Sequence, residues 1–158
     1  MPTNISKMVI FSMIDEKDEL ILEELKKNAR ASTVDIARKT KIPRVTVHER
    51  IKRLIEKGII KKFTAVPDYR KLGKETTAFV LISYSPNKLL QTEVAEKIAK
   101  LPNIYEVHLI AGEWDMIAKV RGKNLEEIGK LVLERIRSIE GVAKTFTVGC
   151  FETIKEEC

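Results

Sequence analysis

Apolar residues recur at helical spacing in three segments of the first 66 residues, with polar residues between them. The first helix is predicted to begin at Asp15, because free backbone N–H groups in a first turn favour carboxylates. Ser32, with an acidic residue three positions later, resembles a capping box and opens a second helix that runs to about Thr40. Pro43 fits the start of a third helix, and Gly58 is expected to end it. The pattern predicts three helices joined by short turns.

The third helix has one apolar stripe and one strongly polar face. The stripe follows helical spacing and consists of Val47, Ile51, Leu54 and Ile55. Two short helices joined by a tight turn form a helix-turn-helix, here of the winged type, in which the second helix enters the DNA major groove. Residues near the start of that helix touch base edges, and the candidate base readers are therefore Arg44, Thr46 and His48, with Glu49 as a further one.

Basic residues along and after the third helix suit DNA phosphates, whose contacts give affinity and salt dependence but little sequence choice. The candidates for phosphate contact are Arg50, Lys52, Arg53, Lys61 and Lys62. Arg50 could instead pair with an acidic residue inside the domain, and both interpretations stay open. The polar face could also dock a protein rather than DNA.

From Thr76 onward the periodicity changes to that of strands alternating with helices. Strands are predicted at 76–83, 103–110, 114–120 and 142–151, with helices at 88–100 and from Asn124. The two halves align at an offset of 38 residues, which matches Leu90 with Ile128 and Val94 with Val132. Two tandem βαβ units predict a ferredoxin-like α+β sandwich with four antiparallel strands and both helices on one face.

The strand at 76–83 is apolar on both faces, with Ala78, Val80 and Ile82 on one and Phe79 and Leu81 on the other. The two helices can cover only one face of the sheet. An antiparallel sheet that faces water should alternate cleanly between apolar and polar residues. The second face is therefore expected to pack against another chain, most simply as a symmetric homodimer.

Charge is concentrated in the front half of the chain. The whole protein has a formal net charge of +6, and residues 38–62 carry 10 Lys and Arg against 2 Asp and Glu. This asymmetry favours a nucleic-acid partner for the front half. The alternative is the lysine-rich surface of a thermophile-like protein, but ordinary surface charge mixes the two signs.

Several classes of function find no support in the sequence. Hydrophobic residues make up 44% of the chain, yet no apolar run approaches a spanning helix, so a cytoplasmic globular protein is expected. Cys150 and Cys158 form no metal or redox pair, and no cofactor is predicted. The two histidines lie in different predicted domains, and no nucleotide-binding, metal-ligand or nucleophile motif appears. An enzyme is not expected.

The ordered set of motifs resembles the Lrp/AsnC (leucine-responsive regulatory protein, feast/famine) family over residues 13 to about 155. The segments that carry the resemblance are "MIDEKDELILEELKKNARASTVDIARKTKIPRVTVHERIKRLIEKGIIKKFTAV", "LG", "AGEWDMIAKV" and "SIEGVAKTFTV". The resemblance implies a transcription regulator of bacteria or archaea, with a helix-turn-helix domain and a ferredoxin-like, ligand-sensing RAM domain. It also implies dimers through the RAM sheet that assemble to tetramers or octamers, and a free amino acid as effector. The domains would be 1–58 (with 1–12 an extra tail), a hinge strand and linker at 59–75, and the RAM domain at 76–158.

The resemblance also assigns residues. Arg50 and Ile51 match an Arg-Ile pair of the family's recognition helix, and Ile59–Val66 matches its hinge strand. Gly112 and Asp115 match residues of a loop near the family's effector pocket. A Gly-x-x-Asp loop offers backbone N–H groups to a carboxylate and an acid to an ammonium group. The effector candidates are Gly112, Glu113, Trp114, Asp115, Thr145 and Thr147.

Alternatives remain for both sites. The loop could be a plain hairpin turn in which Asp115 caps backbone N–H groups. Where the family usually has Gly and Ser in the turn before the third helix, this chain has Lys41 and Pro43. For function, the alternatives are an architectural DNA-binding protein with little sequence preference, or a regulator whose RAM domain only assembles oligomers.

Overall fold

The computed structural model describes residues 14–86 and 88–156. The chain divides into two compact units between Val66 and Pro67. The division falls within the predicted linker at 59–75. The predicted N-terminal tail, residues 1–12, and Cys158 lie outside the described residues.

The described residues of the first unit form three helices: α1 (Glu16–Lys27), α2 (Thr33–Thr40) and α3 (Arg44–Glu56). Their apolar faces meet in one small core built from Ile21, Leu25, Ile36, Ile42 and Val47. Each fully buried side chain of this size contributes roughly 1.5–3 kcal/mol. Ile55, placed by the helical pattern in the buried stripe, is 47% exposed. The core touches a narrower strip of α3 than the sequence predicts.

The helix ends follow the predicted signals. Asp15 caps α1, and its carboxylate accepts from the N–H of Asp18, whose own carboxylate accepts from the N–H of Asp15. Ser32 caps α2 by accepting from the N–H of Asp35. After α3, Gly58 adopts φ +68°, and the N–H groups of Gly58 and Ile59 donate to the carbonyls of Ile55 and Leu54. These two bonds form a Schellman motif, which satisfies carbonyls left unpaired at the helix end.

The predicted hinge strand at 59–66 is not formed. The N–H groups of Ile59 and Ile60 both donate to the carbonyl of Leu54, and residues 61–68 have no regular secondary structure. A strand requires a partner for its backbone groups. No other described segment of this chain pairs with residues 59–66, and the strand prediction is wrong for the single chain.

The second unit is the predicted α+β sandwich. It runs β1 (Thr76–Tyr84), α4 (Gln91–Ala99), β2 (Ile104–Leu109), β3 (Met116–Gly122), α5 (Leu125–Lys130) and β4 (Val142–Gly149). The helix α5 continues as a π-helical segment, Leu131–Ile136. All strand pairs are antiparallel, in the order β2-β3-β1-β4.

One face of this sheet packs against the helices. Ala78, Val80 and Ile82 of β1 pair with Val120, Ala118 and Met116 of β3, and all six are fully buried. The helices cover them with Val94, Ile98, Ile128 and Ile136. The predicted offset of 38 residues relates Val94 to Val132 and Ile98 to Ile136, which are all buried in this core. It also relates the first residue of β2 to the first residue of β4.

The first matched pair of the predicted repeat, Leu90 and Ile128, does not occupy equivalent positions in the structure. Leu90, predicted on the buried face of a helix beginning at residue 88, is 68% exposed and is the residue before α4. Its N–H donates to the carboxylate of Glu93 at 2.6 Å, so the helix begins only after it. β4 also ends before its predicted end at 151: Cys150, expected within the strand, follows it and donates its N–H to the carbonyl of Thr77.

No helix of the described residues packs on the other face of the sheet. Phe79 and Leu81 of β1 lie opposite Val148 and Phe146 of β4, and antiparallel partners share a face. The β4 pair is exposed. We call this the open face. In the described part of the chain, no helix is long and apolar enough to cross a lipid bilayer.

Candidate nucleic-acid interface and effector loop

The first turns of α3 present the predicted base readers. Arg44, His48 and Glu49 are exposed, and Thr46 is half-buried. A shallow depression of about 330 Å³ lies beside them, lined by Thr33, Arg44, Val45 and His48. Thr33 and Val45 were not among the predicted residues. The helical spacing of α3 could have placed Val45 beside Arg44 on the polar face. Thr33 lies on α2, and only the tertiary packing brings it to this depression.

Two of the predicted phosphate contacts are instead ion pairs inside the domain. Arg50 Nη1 donates to Asp15 Oδ1 at 2.5 Å and to Asp18 Oδ1 at 2.9 Å. Arg53 Nη2 donates to Asp18 Oδ2 at 2.6 Å. Asp18 is completely buried. Of the two interpretations of Arg50, the structure shows the ion pair inside the domain. Arg53 pairs with the same carboxylate, that of Asp18.

The same network shifts the pKa of a surface carboxylate. The hydrogen bond from Arg50, followed by that from the N–H of Asp18, lowers the pKa of Asp15 from 3.8 to about 2. Hydrogen bonds that stabilise the charged carboxylate are the cause. Asp15 is therefore ionised wherever the domain is folded near neutral pH, and it holds α1 against α3.

The remaining phosphate candidates are available on the surface. Lys52 Nζ lies 3.9 Å from Oε1 of Glu56, one turn along α3, and the two form a weak surface ion pair. Lys61 and Lys62 are exposed and follow the Schellman motif. Within the described ranges neither forms an ion pair. These three lysines lie on and beyond the C-terminal half of α3, away from the candidate base readers at its start.

The effector loop of the sequence prediction connects β2 to β3, and Asp115 stabilises it. Its Oδ2 accepts from the N–H of Tyr84 at 2.7 Å, and its own N–H donates to the carbonyl of Ile82. Its carbonyl accepts from the N–H of Ile110 and from Nε2 of Gln91. The side chain performs the backbone-capping role that was the alternative to effector binding.

The structure brings only part of the predicted effector set together. Trp114 stacks on Phe146 of β4, with ring centroids 6.1 Å apart and planes at 28°. Thr145 and Thr147 flank Phe146 along β4 and point to the opposite face of the sheet. Gly112, at φ +136°, and Glu113 are exposed in the loop. The loop therefore meets β4 through an aromatic contact rather than through the two hydroxyl groups.

A polar cavity of about 300 Å³ lies elsewhere in the second unit and was not predicted. Its most buried charge is Arg121 of β3, which pairs with Glu156 of the segment after β4. These residues are 35 positions apart, and no local pattern connects them. In the described residues, no group of three or more His, Cys, Asp or Glu side chains could hold a metal ion.

Both units match known family models. Residues 14–61 match a winged helix-turn-helix DNA-binding model, and residues 77–158 match the Lrp/AsnC ligand binding domain. An uncharacterized HTH-type transcriptional regulator of Pyrococcus furiosus is 58% identical over 146 residues, which cover 92% of this chain and 97% of the relative. The HTH-type transcriptional regulator FL11 of the same organism is 42% identical over 91% of this chain and 93% of its own length.

Solved structures share the fold across most of the chain. LrpC of B. subtilis superposes with a TM-score of 0.80 at 30% identity, covering 91% of this chain and 99% of that one. A transcriptional regulator of Neisseria meningitidis, solved as a complex with L-Met, gives a TM-score of 0.86 at 22% identity over 91% and 94%. The relatives are named as transcriptional regulators, which confirms that the chain is not an enzyme. With a winged helix-turn-helix DNA-binding domain followed along the chain by an Lrp/AsnC ligand binding domain, the protein belongs to the Lrp/AsnC family of transcriptional regulators.

Proposed function

We propose that this regulator reads a specific sequence of double-stranded DNA as a homodimer, and that a small effector such as an amino acid modulates it. The exposed start of α3, with Arg44, His48 and Glu49 free of the ion pairs that hold Arg50 and Arg53, carries the proposal. Side chains at this position of a helix-turn-helix reach base edges in the major groove.

The division of labour along α3 supports sequence reading. Arg44 offers a fork of donors that suits guanine, and Glu49 suits the amino group of cytosine. Thr46 and His48 add contacts that depend on the bases they meet. Lys52, Lys61 and Lys62 contribute affinity through phosphates, while Arg50 and Arg53 set the position of the helix.

The open face supports a dimer. Phe79, Leu81, Phe146 and Val148 form an apolar patch that none of the described helices covers. A two-fold axis would pack the same patch of two chains together, and the dimer would present two α3 helices to two half-sites. Further assembly to a tetramer or octamer is part of the proposal by family resemblance.

Effector binding is proposed at the loop of Gly112 and Asp115. Trp114 and Glu113 are accessible there, and the Neisseria regulator was solved with L-Met. The bond from the N–H of Tyr84 already engages one carboxylate oxygen of Asp115. That engagement favours the second candidate function, in which this domain only assembles oligomers.

The test is a binding titration with the purified protein, its own upstream DNA and random DNA of equal length. It is run at two salt concentrations, with and without a mixture of amino acids. A specific regulator should prefer its own DNA by about 10³-fold or more, and the mixture should change that preference. Preference without a response would support the assembly function. No preference with a steep salt slope would overturn sequence reading and favour an architectural protein.

A further inference from the structure

Arg121 is a buried cation on the open face, at the end of the sheet where β1 begins. Its residue is only 7% exposed. Its Nη1 donates to Thr77 Oγ1 at 3.3 Å, and its Nη2 lies 2.6 Å from both carboxylate oxygens of Glu156. Its Nε has no hydrogen-bond partner among the described residues. A charge this buried is costly unless an anion compensates it.

Aromatic rings hold the guanidinium in place. Its carbon lies 4.2 Å from the ring centroid of Tyr69 and 5.3 Å from that of Tyr105. The two rings meet edge to face at 4.8 Å. Lys74 fixes Tyr105 in turn, donating to its hydroxyl at 2.8 Å. Rings around a guanidinium leave its edge free for a planar, bidentate acceptor, which is the geometry of a carboxylate.

Lys119 supplies a second cation two residues along β3. Its Nζ donates to Glu156 Oε1 and, at 3.0 Å, to Glu106 Oε1. The two bonds outweigh the effect of its burial and raise the pKa of Lys119, and the bonds from Lys119 and Arg121 lower the pKa of Glu156. Lys119 and Arg121 therefore present two positive charges to one carboxylate.

The segment that delivers this carboxylate is irregular and carries exposed apolar side chains. Residues 150–156 have no regular secondary structure, and their two large apolar side chains, Phe151 and Ile154, are 107% and 86% exposed. A cavity lies on each side of the segment, about 300 Å³ on the Arg121 side and about 480 Å³ on the Lys119 side. The cations of this site lie on a regular strand of the sheet, whereas Glu156, which occupies the site, lies on an irregular segment.

We propose that Arg121 and Lys119, with Thr77 and the rings of Tyr69 and Tyr105, form a carboxylate-binding site in which Glu156 is a displaceable internal occupant. The ligand class is a small organic carboxylate. The site is separate from the loop of Gly112 and Asp115, and its ligand binding does not depend on DNA recognition.

Glu156 competes with any free carboxylate for this site, because the chain holds it beside the two cations. A carboxylate on a short, irregular segment reaches an effective concentration on the order of millimolar, which a free ligand must exceed. Removing the charge of Glu156 removes the competitor and leaves the buried Arg121 without its anion, while the half-buried Lys119 keeps only Glu106. The site should then bind free carboxylate at least about tenfold more tightly than in the native protein.

The experiment titrates propionate, the free equivalent of the Glu156 side chain, into the full-length protein without DNA. The readout is the NMR signal of Arg121 Nε–H, with propanamide as the neutral isostere. E156Q is compared with the native protein. E152Q is the matched control, because Glu152 lines the same cavities and makes no hydrogen bond to Arg121 among the described residues. Far-UV circular dichroism checks the fold of each variant.

We expect E156Q to bind propionate at least about tenfold more tightly than native protein, E152Q to behave as native, and propanamide not to bind. The double variant K119Q/E156Q, which keeps the buried arginine, should lose most of the gain. Equal propionate binding by E156Q and native protein would overturn the proposal. So would propionate binding by E156Q that K119Q leaves unchanged, or that shifts other signals but not Arg121 Nε–H. DNA binding is not involved, so either result leaves the proposed function standing.

Discussion

Asp18 lies on α1 with no exposed surface, and its two carboxylate oxygens accept from Arg50 and Arg53 of α3. It also accepts from the N–H of Asp15, which closes the capping box of α1. One side chain therefore joins the start of α1 to the middle of α3. Loss of this carboxylate would leave Arg53 without its anion and Arg50 with Asp15 alone, at the contact between α1 and α3.

We predict that Asp18→Ala destabilises the helix-turn-helix by about 3 kcal/mol, the lower end of the range for breaking a buried pair, because Arg53 is partly exposed and Arg50 keeps Asp15. The measurement is urea unfolding followed by circular dichroism. Asp35→Ala is the control, since Asp35 also sits in a first helical turn but pairs with Arg38 at the surface. Equal losses in the two variants would show that Asp18 acts only as a cap.

Lys41 is the one residue of the turn between α2 and α3 with positive φ, at 61°. L-residues other than glycine and asparagine are strained there by roughly 1–2 kcal/mol. Lys41→Gly should therefore stabilise the domain by about 0.5–1 kcal/mol, after the larger entropy of glycine in the unfolded chain is subtracted. The change is read from the urea midpoint. Lys39→Gly, inside α2, should destabilise it, and a stabilising effect of both would contradict the strain argument.

The pKa of Asp15 gives the domain a defined acid limit. Because the folded pKa lies near 2 and the ordinary value is 3.8, the contribution of Asp15 is complete above pH 3.8. It is lost as the pH falls from 3.8 toward 2, since the unfolded state binds the proton first. Unfolding measured between pH 5 and pH 2 should show this slope, and Asp15→Asn should reduce it, while Glu24 and Asp35, whose pKa values are also lowered, keep their contributions. A slope that Asp15→Asn leaves unchanged would place the titration elsewhere.

At the level of whole elements, α3 serves two partners along its length. Its start is exposed and carries the proposed base readers, its middle is tied to α1 by the arginine pairs, and its end is followed by the lysines beyond Gly58. The periodicity of the sequence predicts the buried stripe of this helix and both ends. It could not choose between DNA and an internal acid for Arg50, because that choice depends on where α1 lies.

Two substitutions distinguish base recognition by α3 from its general affinity for DNA. Arg44→Ala should weaken binding to the preferred DNA by about 1–3 kcal/mol and relax base preference. Lys61→Ala should weaken specific and random DNA about equally and reduce the salt slope by about one. Fluorescence anisotropy with both DNAs at several salt concentrations measures the two effects. If both variants weaken specific and random DNA equally, the assignment of Arg44 as a base reader is wrong.

For the molecule as a whole, the open face connects fold to assembly. Leu81→Asp places a charge in the centre of the apolar patch, opposite Phe146, and should convert the proposed dimer to a monomer in light scattering after gel filtration. Leu133→Asp is the control, because Leu133 is exposed on the helical side of the same unit. Dimers that survive Leu81→Asp would place the interface elsewhere.

The sequence by itself determined the features that rest on neighbours in the chain. These are three helices with capping residues at Asp15, Ser32 and Gly58, a repeated βαβ unit, and a strand too apolar for water on either side. Each depends on hydrogen bonds or periodicities within a few residues, and all are present in the structure. Leu90 shows the limit, since a cap bond to Glu93 rather than hydrophobicity decided where α4 begins.

Only the tertiary structure decided which distant charges meet. Arg50 reaches Asp15 and Asp18 over 35 and 32 positions, and Arg121 reaches Glu156 over 35. Such pairs follow from the packing of whole elements. The sequence alone offers 23 acidic residues as chemically equivalent partners for each basic residue and does not select one. The same packing uses the carboxylate of Asp115 to cap the N–H of Tyr84. Periodicity can identify a helix face or a strand, but the partner of a charged side chain is set by three-dimensional proximity and by the cost of burying it alone.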